Sequence, residues 1–256
     1  MEYIACIILA FALLQLLVAL VNLLLREQLP ERSDTLLSAG IKPNAATLPD
    51  QTLSLLIPAR NEEANIGRLL RDLTSINDRI MEIIVCDDQS TDRTAAIVES
   101  FAASDPRIRL IRCGELPDGW YGKNHACYCL AQEATGDYLL FLDADVRVRD
   151  GVIDRSLQYM QQHRCDLMSI LPTQEMCTLG EKITVPNMHI ILLTLLPLPL
   201  VRLSKFPSLS AANGQFMLFR GDTYRELEPH RQFRKSRAED IEIARHLKRL
   251  RRRVSC

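Results

Sequence analysis

The sequence predicts an α/β fold: a mainly parallel sheet with helices on both faces, preceded by one amino-terminal transmembrane helix. Two observations predict the sheet. Short apolar runs alternate with amphipathic segments from about Thr52 onward, and polar, largely acidic residues follow the apolar runs. A third observation, an uncharged run from Tyr3 to Leu25, predicts the membrane helix.

Taken in order, the Tyr3–Leu25 run is long enough to cross roughly 30 Å of hydrocarbon. It exceeds a typical signal-peptide core, has no basic segment before it and no small-x-small site ending it. Residues 1–26 therefore read as an uncleaved anchor rather than a signal peptide or a buried helix. Arg26, Arg32 and Lys42 follow the run, while only Glu2 and the amino group precede it. The positive-inside tendency then puts the remainder on the cytoplasmic side of the cell's inner membrane, as a single-pass protein. Residues 27–51, with Pro30, Gly40, Pro43 and Pro49, read as a tether.

The folded domain is expected over 52–256. In "LSLLIPARNEEANIGRLLRDL" an apolar strand meets a turn at Pro58, then a helix capped by Asn61 with Ile66, Leu69, Leu70 and Leu73 on one face. "EIIVCDDQSTDRTAAIVESFA" repeats the plan, with a strand over 83–86 and a helix entered through Ser90 or Thr91. "RIRLIRC" is a third strand, "GKNHACYCLAQEATG" a helix ending near Gly136, and "DYLLFLDAD" a further strand. Such alternation implies parallel strands covered on both faces.

Composition excludes little else. With 256 residues, 47% of them hydrophobic, the chain can bury a sizeable core, and a net charge of -1 with a pI near 6.5 gives no reason to expect nucleic acid. Eight cysteines include no CxxC pair, and Cys127 and Cys129 lack a second half-site. Reduced, mostly buried thiols are expected rather than zinc.

In open parallel sheets ligands bind beyond the carboxyl ends of the strands. Polar residues gather at three such ends: Ala59 to Glu62, Asp87 to Asp92, and Asp143 to Asp145. In extended chain, residues two apart share a face, so Asp143 and Asp145 can address one ligand. Two neighbouring carboxylates at the rim of an apolar core repel each other unless a cation or donors compensate. Mg2+ or Mn2+ suits such a pair, together with the phosphate oxygens of a nucleoside diphosphate. Taken alone, the pair also fits a solvated loop.

Together, "LSLLIPARNE", "IIVCDDQSTD" and "GDYLLFLDADV" resemble the amino-terminal landmarks of glycosyltransferase family 2 in order and spacing. "LPDGWYGKNHAC" and "SAANGQFMLFRGDTY" are similar to its membrane-associated branch, which includes hopanoid-associated and carotenoid glycosyltransferases. The resemblance covers about 52–253. It implies a GT-A (Rossmann-like) fold and inverting, metal-dependent transfer of a sugar from a nucleotide-sugar, commonly a UDP-sugar.

Carried over by position, it implies Ala59, Arg60 and Glu62 beside the nucleotide, and Asp87 or Asp88 on the base or ribose. Asp145 becomes the main metal ligand, with Asp143 between ribose and metal. Lys123, at a helix start, can offset diphosphate charge. "SRAEDIEIARHLKRL" matches the family's Glu-Asp pair, giving Asp240 as general base and Glu239 as second choice; Asn213, Gly214 and Gln215 form the acceptor-side wall. Each has an ordinary rival: Arg60 and Glu62 as surface charges, Asp88 as a turn residue, and Glu239 and Asp240 as acidic residues complementing a helix dipole.

The uncharged stretch from Ile183 to Val201 is interrupted by Pro186, Pro197 and Pro199 and carries Asn187 and His189. It reads as an interfacial or re-entrant segment where a lipid-like acceptor approaches, with a buried core helix as the alternative. The basic stretch around "KRLRRR" fits either an anionic membrane surface or a solvated helix. The chain ends at Cys256 without the Gln-x-x-Arg-Trp motif of processive relatives, so processive synthesis is not expected, and a truncated form of low activity stays open. Two rival functions remain: a noncatalytic membrane scaffold or regulatory protein with the same fold, and a nucleotidyltransferase. The latter is expected to carry a Gly-rich basic loop, which "IPARNEE" does not supply.

Overall fold

A computed structural model of the chain describes residues 2–25, 27–30, 51–76 and 79–256. The expected tether over 27–51, and the positions of Arg26, Arg32 and Lys42, lie almost wholly outside the described residues.

The elements follow the alternation read from the sequence. Helix α1 (Glu2–Leu24) is followed by β1 (Leu53–Ala59), α2 (Ile66–Ser75), β2 (Glu82–Asp87), α3 (Thr94–Ala102), β3 (Ile108–Arg112), α4 (Gly122–Glu133) and β4 (Tyr138–Leu142). Then come α5 (Val152–His163), β5 (Leu167–Ser169), α6 (Leu179–Leu195), α7 (Pro199–Leu203), β6 (Phe216–Arg220), α8 (Gly221–Leu227), α9 (Pro229–Gln232), α10 (Glu239–Arg249) and β7 (Val254–Ser255). The seven strands form one sheet in the order β3-β2-β1-β4-β6-β5-β7. β6 is antiparallel to both its neighbours, and the other pairings are parallel.

Period-two alternation sorts the strand residues between two cores. Leu53, Leu55, Ile57, Ile83, Val85, Leu140 and Leu142 pack with Ile66, Leu69, Leu70 and Leu73 of α2 and Leu157 of α5. Leu56, Ile84, Cys86, Leu139 and Phe141 pack with Leu130 of α4 and with Ile243, Ala244 and Leu247 of α10. The α2 face is the one expected; on α10, Ile241 turns outward, as does Leu250 just after the helix. Because β1, β2 and β4 run together, their carboxyl ends deliver residues 59–62, 87–92 and 143–145 to one edge.

Local chemistry corrects three boundaries. Pro58 lies within β1 rather than in a turn. The Ala59 carbonyl accepts from Asp88 N–H on the β2 side, so by alternation Pro58 faces β4, whose pairing with β1 has already ended at Leu56. The missing proline N–H therefore removes no ladder bond. Asn61 does not cap α2; it adopts the left-handed region at φ 55° and its side chain accepts from Thr91 N–H, while α2 starts after Asn65. Helix α3 starts at Thr94 rather than at Ser90 or Thr91, because Asp92 accepts from Thr94 N–H at 2.9 Å and holds the preceding turn.

Helix α1 is long and apolar enough to cross a membrane, and its apolar side chains are exposed. It packs along α6, where Asn22 donates to the carbonyls of Leu193 and Leu196 and accepts from Leu198 N–H, each near 2.8 Å. These bonds satisfy the carbonyls released where Pro197 and Pro199 end α6. Glu27, just after α1, bonds Arg202 of α7 and Tyr159 of α5. No residue of α6 is buried among those whose burial is described, and Ile183 and Ile190 are exposed. The α6 part of 183–201 is therefore not a buried core helix, whereas Pro199 and Val201 at its far end are buried.

Candidate functional site

Two cavities meet at the sheet's carboxyl edge. The first, about 360 Å³, is lined by Ala59, Arg60 and Glu62 after β1, Asp88 after β2, Gly122 and Lys123 at the start of α4, and Asp143 and Asp145 after β4. The second, about 340 Å³, is lined by Tyr121, Asn213, Gly214, Gln215, Arg237, Glu239 and Asp240. Lys123 and Asp143 line both. Every position expected from the sequence except Asp87 thus lies on one cavity or the other.

Asp87 is buried and accepts from Ser90 N–H at 3.2 Å, which shapes the loop after β2. Asp88 faces the first cavity, 3.8 Å from the half-exposed Arg60 guanidinium. Gly122 approaches it so closely that a Cβ there would stand 2.6 Å from Asp88 Oδ2. The absent side chain is what lets the amino end of α4, with its free N–H groups, reach the cavity.

Asp143 follows the buried strand β4 and is half-buried; burial pushes its carboxyl up, opposed by Lys123. Lys123 Nζ lies 2.7 Å from Asp143 Oδ1 and 2.9 Å from Oδ2. Asp143 and, more weakly, Glu239 hold the Lys123 ammonium above its usual range despite burial. Asp145 is exposed on the first cavity, and its carboxylate has no hydrogen-bond partner among the described residues. An open carboxylate two residues from an ion-paired one gives a hard, all-oxygen donor set that fits Mg2+ or Mn2+ completed by water and phosphate oxygens.

The second cavity is built across the end of β6. Asp240, in the first turn of α10, accepts from Gly214 N–H at 3.0 Å and from Ile241 N–H at 2.8 Å. Glu239 is buried, and burial first, then Asp240 and Asp143, push its carboxyl above the usual range. A Cβ on Gly214 would meet Lys123 Nζ at 3.4 Å and Glu239 Oε1 at 3.7 Å, so this backbone is the floor between the charges. Asn213 is fixed by Ser169, which donates to its carbonyl and accepts its N–H.

The Glycosyl transferase family 2 profile matches residues 54–227, more than half of the chain. The chain belongs to glycosyltransferase family 2. Curated family 2 relatives include the 4,4'-diaponeurosporenoate glycosyltransferases of Staphylococcus haemolyticus and Staphylococcus aureus. The first is 39% identical over 124 residues, covering 48% of this chain and 32% of the relative. The second is 35% identical over 136 residues, covering 52% and 34%. The chain therefore spans about a third of the length of these relatives.

Among solved structures, the mannosyltransferase PcManGT from Pyrobaculum calidifontis, in complex with GDP-Man and Mn2+, superposes with a TM-score of 0.63 at 17% identity over 96% of this chain and 63% of that one. TarS from S. aureus in complex with UDP gives 0.53 at 19% identity over 77% and 55%. At these identities the likeness is one of fold, and it is the GT-A fold of family 2.

Several residues that shape the two cavities carry no local signal in the sequence. Gly122 was not singled out beside Lys123 in "WYGKN". Asn124 donates to the carbonyls of Phe233 and Ser236, and Tyr121 N–H donates to the Arg234 carbonyl, so α4 holds the loop that presents Glu239 and Asp240. Nothing in the sequence pairs positions over 100 apart. The cysteines, all free, also differ from expectation in one respect: Cys113, His125 and Cys129 converge with their ligand atoms within 4.8 Å of one another.

Proposed function

We propose that this family 2 chain transfers a single sugar, with inversion, from a nucleotide-sugar to a lipid-like acceptor at the cytoplasmic face of the membrane. A UDP-sugar is the first donor to test. In this reading 1–26 is the anchor, 27–51 the tether and 52–256 the transferase domain.

The observation that carries the reading is the Lys123–Asp143 pair on the wall common to both cavities, with Asp145 open on one side and Asp240 on the other. The first cavity takes the nucleotide: Asp88 accepts from base or ribose, and Arg60, Lys123 and the amino end of α4 face the diphosphate. Asp145, with Asp143 beside it, would hold a divalent cation, which would supply charge neutralisation for a diphosphate leaving group.

On the second side Asp240 takes the proton of the acceptor hydroxyl as its oxygen attacks the anomeric carbon from the face opposite the leaving diphosphate. Backbone donors orient this carboxylate and leave lone pairs for the hydroxyl. Glu239 beside it is the second candidate.

Support for a lipid-like acceptor comes from an apolar cavity of about 620 Å³ lined by Ala19 and Leu23 of α1, Leu193 of α6 and Met168 to Leu171 at the end of β5. Ser169 lines this cavity and also fixes Asn213 of the second one, so the two are neighbours. Transfer of radiolabelled sugar to extracted lipid by the full chain, compared with Asp240→Asn, tests the proposal. Label in lipid only with the native residue supports it, and equal labelling by both removes Asp240 from the reaction.

A further inference from the structure

A cluster of two sulfurs and an imidazole lies behind the cavity that Asp88 lines. Cys113 follows β3, and His125 and Cys129 sit one turn apart on α4, so the fold brings one sulfur to meet an imidazole and a second sulfur on the same helix face. The three ligand atoms lie within 4.8 Å of one another. The His125 Nε2 to Cys129 Sγ separation is 3.6 Å. Tetrahedral zinc with bonds near 2.3 Å to sulfur and 2.0–2.1 Å to nitrogen sets adjacent ligands about 3.6 Å apart.

The imidazole is the second observation. His125 is 8% exposed, its Nδ1 has no hydrogen-bond partner, and Nε2 meets only the Cys129 sulfur, a weak partner. No strong donor claims its lone pair. Nε2 is the nitrogen that meets the sulfur, so ligation there exchanges a weak thiol contact for a metal bond, while Nδ1 keeps its unpartnered state. Trp120 packs edge-on against the ring at 5.4 Å, and Cys113 is 9% exposed, so most of the cluster is covered while Cys129 stays partly open. Cys86 near the end of β2 adjoins Cys113 but stands outside the three-residue cluster, so the fourth position is left to water.

We infer that Cys113, His125 and Cys129 bind a soft divalent metal of the zinc class, separate from the carboxylate site at Asp145. Sulfur and imidazole select zinc-like ions, whereas Asp143 and Asp145 offer oxygen alone. The site clamps the end of β3 to α4, the helix that presents Gly122 and Lys123, and it sits beside Asp88. It stabilises the donor cavity without taking part in transfer.

The full chain, purified in detergent under reducing conditions, is incubated with Zn2+, dialysed and analysed for bound metal. It is then loaded with Co2+ and its absorption spectrum recorded. Stoichiometric zinc and sulfur-to-cobalt charge-transfer absorption are expected. Cys113→Ser and His125→Asn each lose both signals, and Cys177→Ser, an exposed control, loses neither. Because the cobalt spectrum is read on the native chain, a variant that fails to fold does not decide the outcome. Substoichiometric zinc, a cobalt spectrum without thiolate bands, or a Cys113–Cys129 disulfide in the reduced preparation overturns the site. Retention of metal by a folded Cys113→Ser variant does so as well.

Discussion

Lys123 and Asp143 form a 2.7 Å ion pair on the partition between two cavities, twenty positions apart in sequence and on different elements. One end of a helix thereby supplies a cation to the carboxylate that follows the central strand β4. The pair also faces Gly214, Glu239 and Asp240. Charge on either side of the partition is therefore felt on the other.

Replacing Lys123 by Met removes the counter-ion of a half-buried carboxylate. Lys123 is partly exposed, so solvent screens the loss, and a destabilisation of about 1 kcal/mol is expected in denaturant unfolding. Nucleotide affinity falls further, by roughly tenfold, because the diphosphate loses a point charge. A titration that shows unchanged affinity contradicts the role given to Lys123.

Asp240→Asn retains an oxygen for Gly214 N–H but no longer accepts a proton at neutral pH. The turnover number is expected to fall by about 10²- to 10⁴-fold with nucleotide binding unchanged. Glu239→Gln behaves differently. Its carboxyl sits above the ordinary carboxylate range in the folded state, so the folded chain binds the proton more tightly than the unfolded chain, and stability falls as pH rises through that window. Removing the charge is therefore expected to raise the midpoint of thermal unfolding at neutral pH, which calorimetry checks.

The two glycines of the site are expected to respond unequally to alanine. At Gly122 the new methyl meets Asp88 Oδ2 at 2.6 Å, and either the carboxylate or the helix start must move. At Gly214 the nearest atom is the flexible end of Lys123 at 3.4 Å. Gly122→Ala should weaken nucleotide binding by about tenfold or more, and Gly214→Ala by severalfold less.

His230 is buried, contacts the Tyr224 hydroxyl at 2.7 Å through Nδ1, and is held neutral by burial, its pKa lowered to about 3. The unfolded chain protonates this histidine near pH 6.5, so below that value the unfolded state binds the extra proton and stability is lost. The loss continues down to the folded value at about 1.4 kcal/mol per pH unit. Acid unfolding followed from pH 7 to 4 should be shallower in His230→Phe, provided the variant folds.

Much of this was legible before any coordinates. The short apolar runs "LSLLIPA" and "YLLFLD" mark the buried strands, and the acidic residues after them mark the edge where the cavities lie. Turn geometry was not legible. Asn61 reads as a helix cap by composition, yet it serves a neighbouring loop through a left-handed backbone, and Asp92 rather than Ser90 or Thr91 shapes the turn ahead of α3. Nor were contacts that exist only once the sheet closes, such as Gly122 on Asp88, Asn124 on the loop before α10, or Cys113 against His125. No local periodicity encodes such pairings.

The central claim is that the cavity bounded by Asp88, Lys123, Asp143 and Asp145 binds a nucleotide with a divalent cation. Calorimetric titration of the detergent-solubilised full chain with UDP, with and without Mn2+, tests it most directly. The account predicts binding that requires Mn2+, is lost in Asp145→Ala and survives in Asp240→Asn. Mn2+-dependent binding that persists undiminished in Asp145→Ala, or no binding of either UDP or GDP with Mn2+ present, would contradict it, and the second outcome would favour a noncatalytic scaffold.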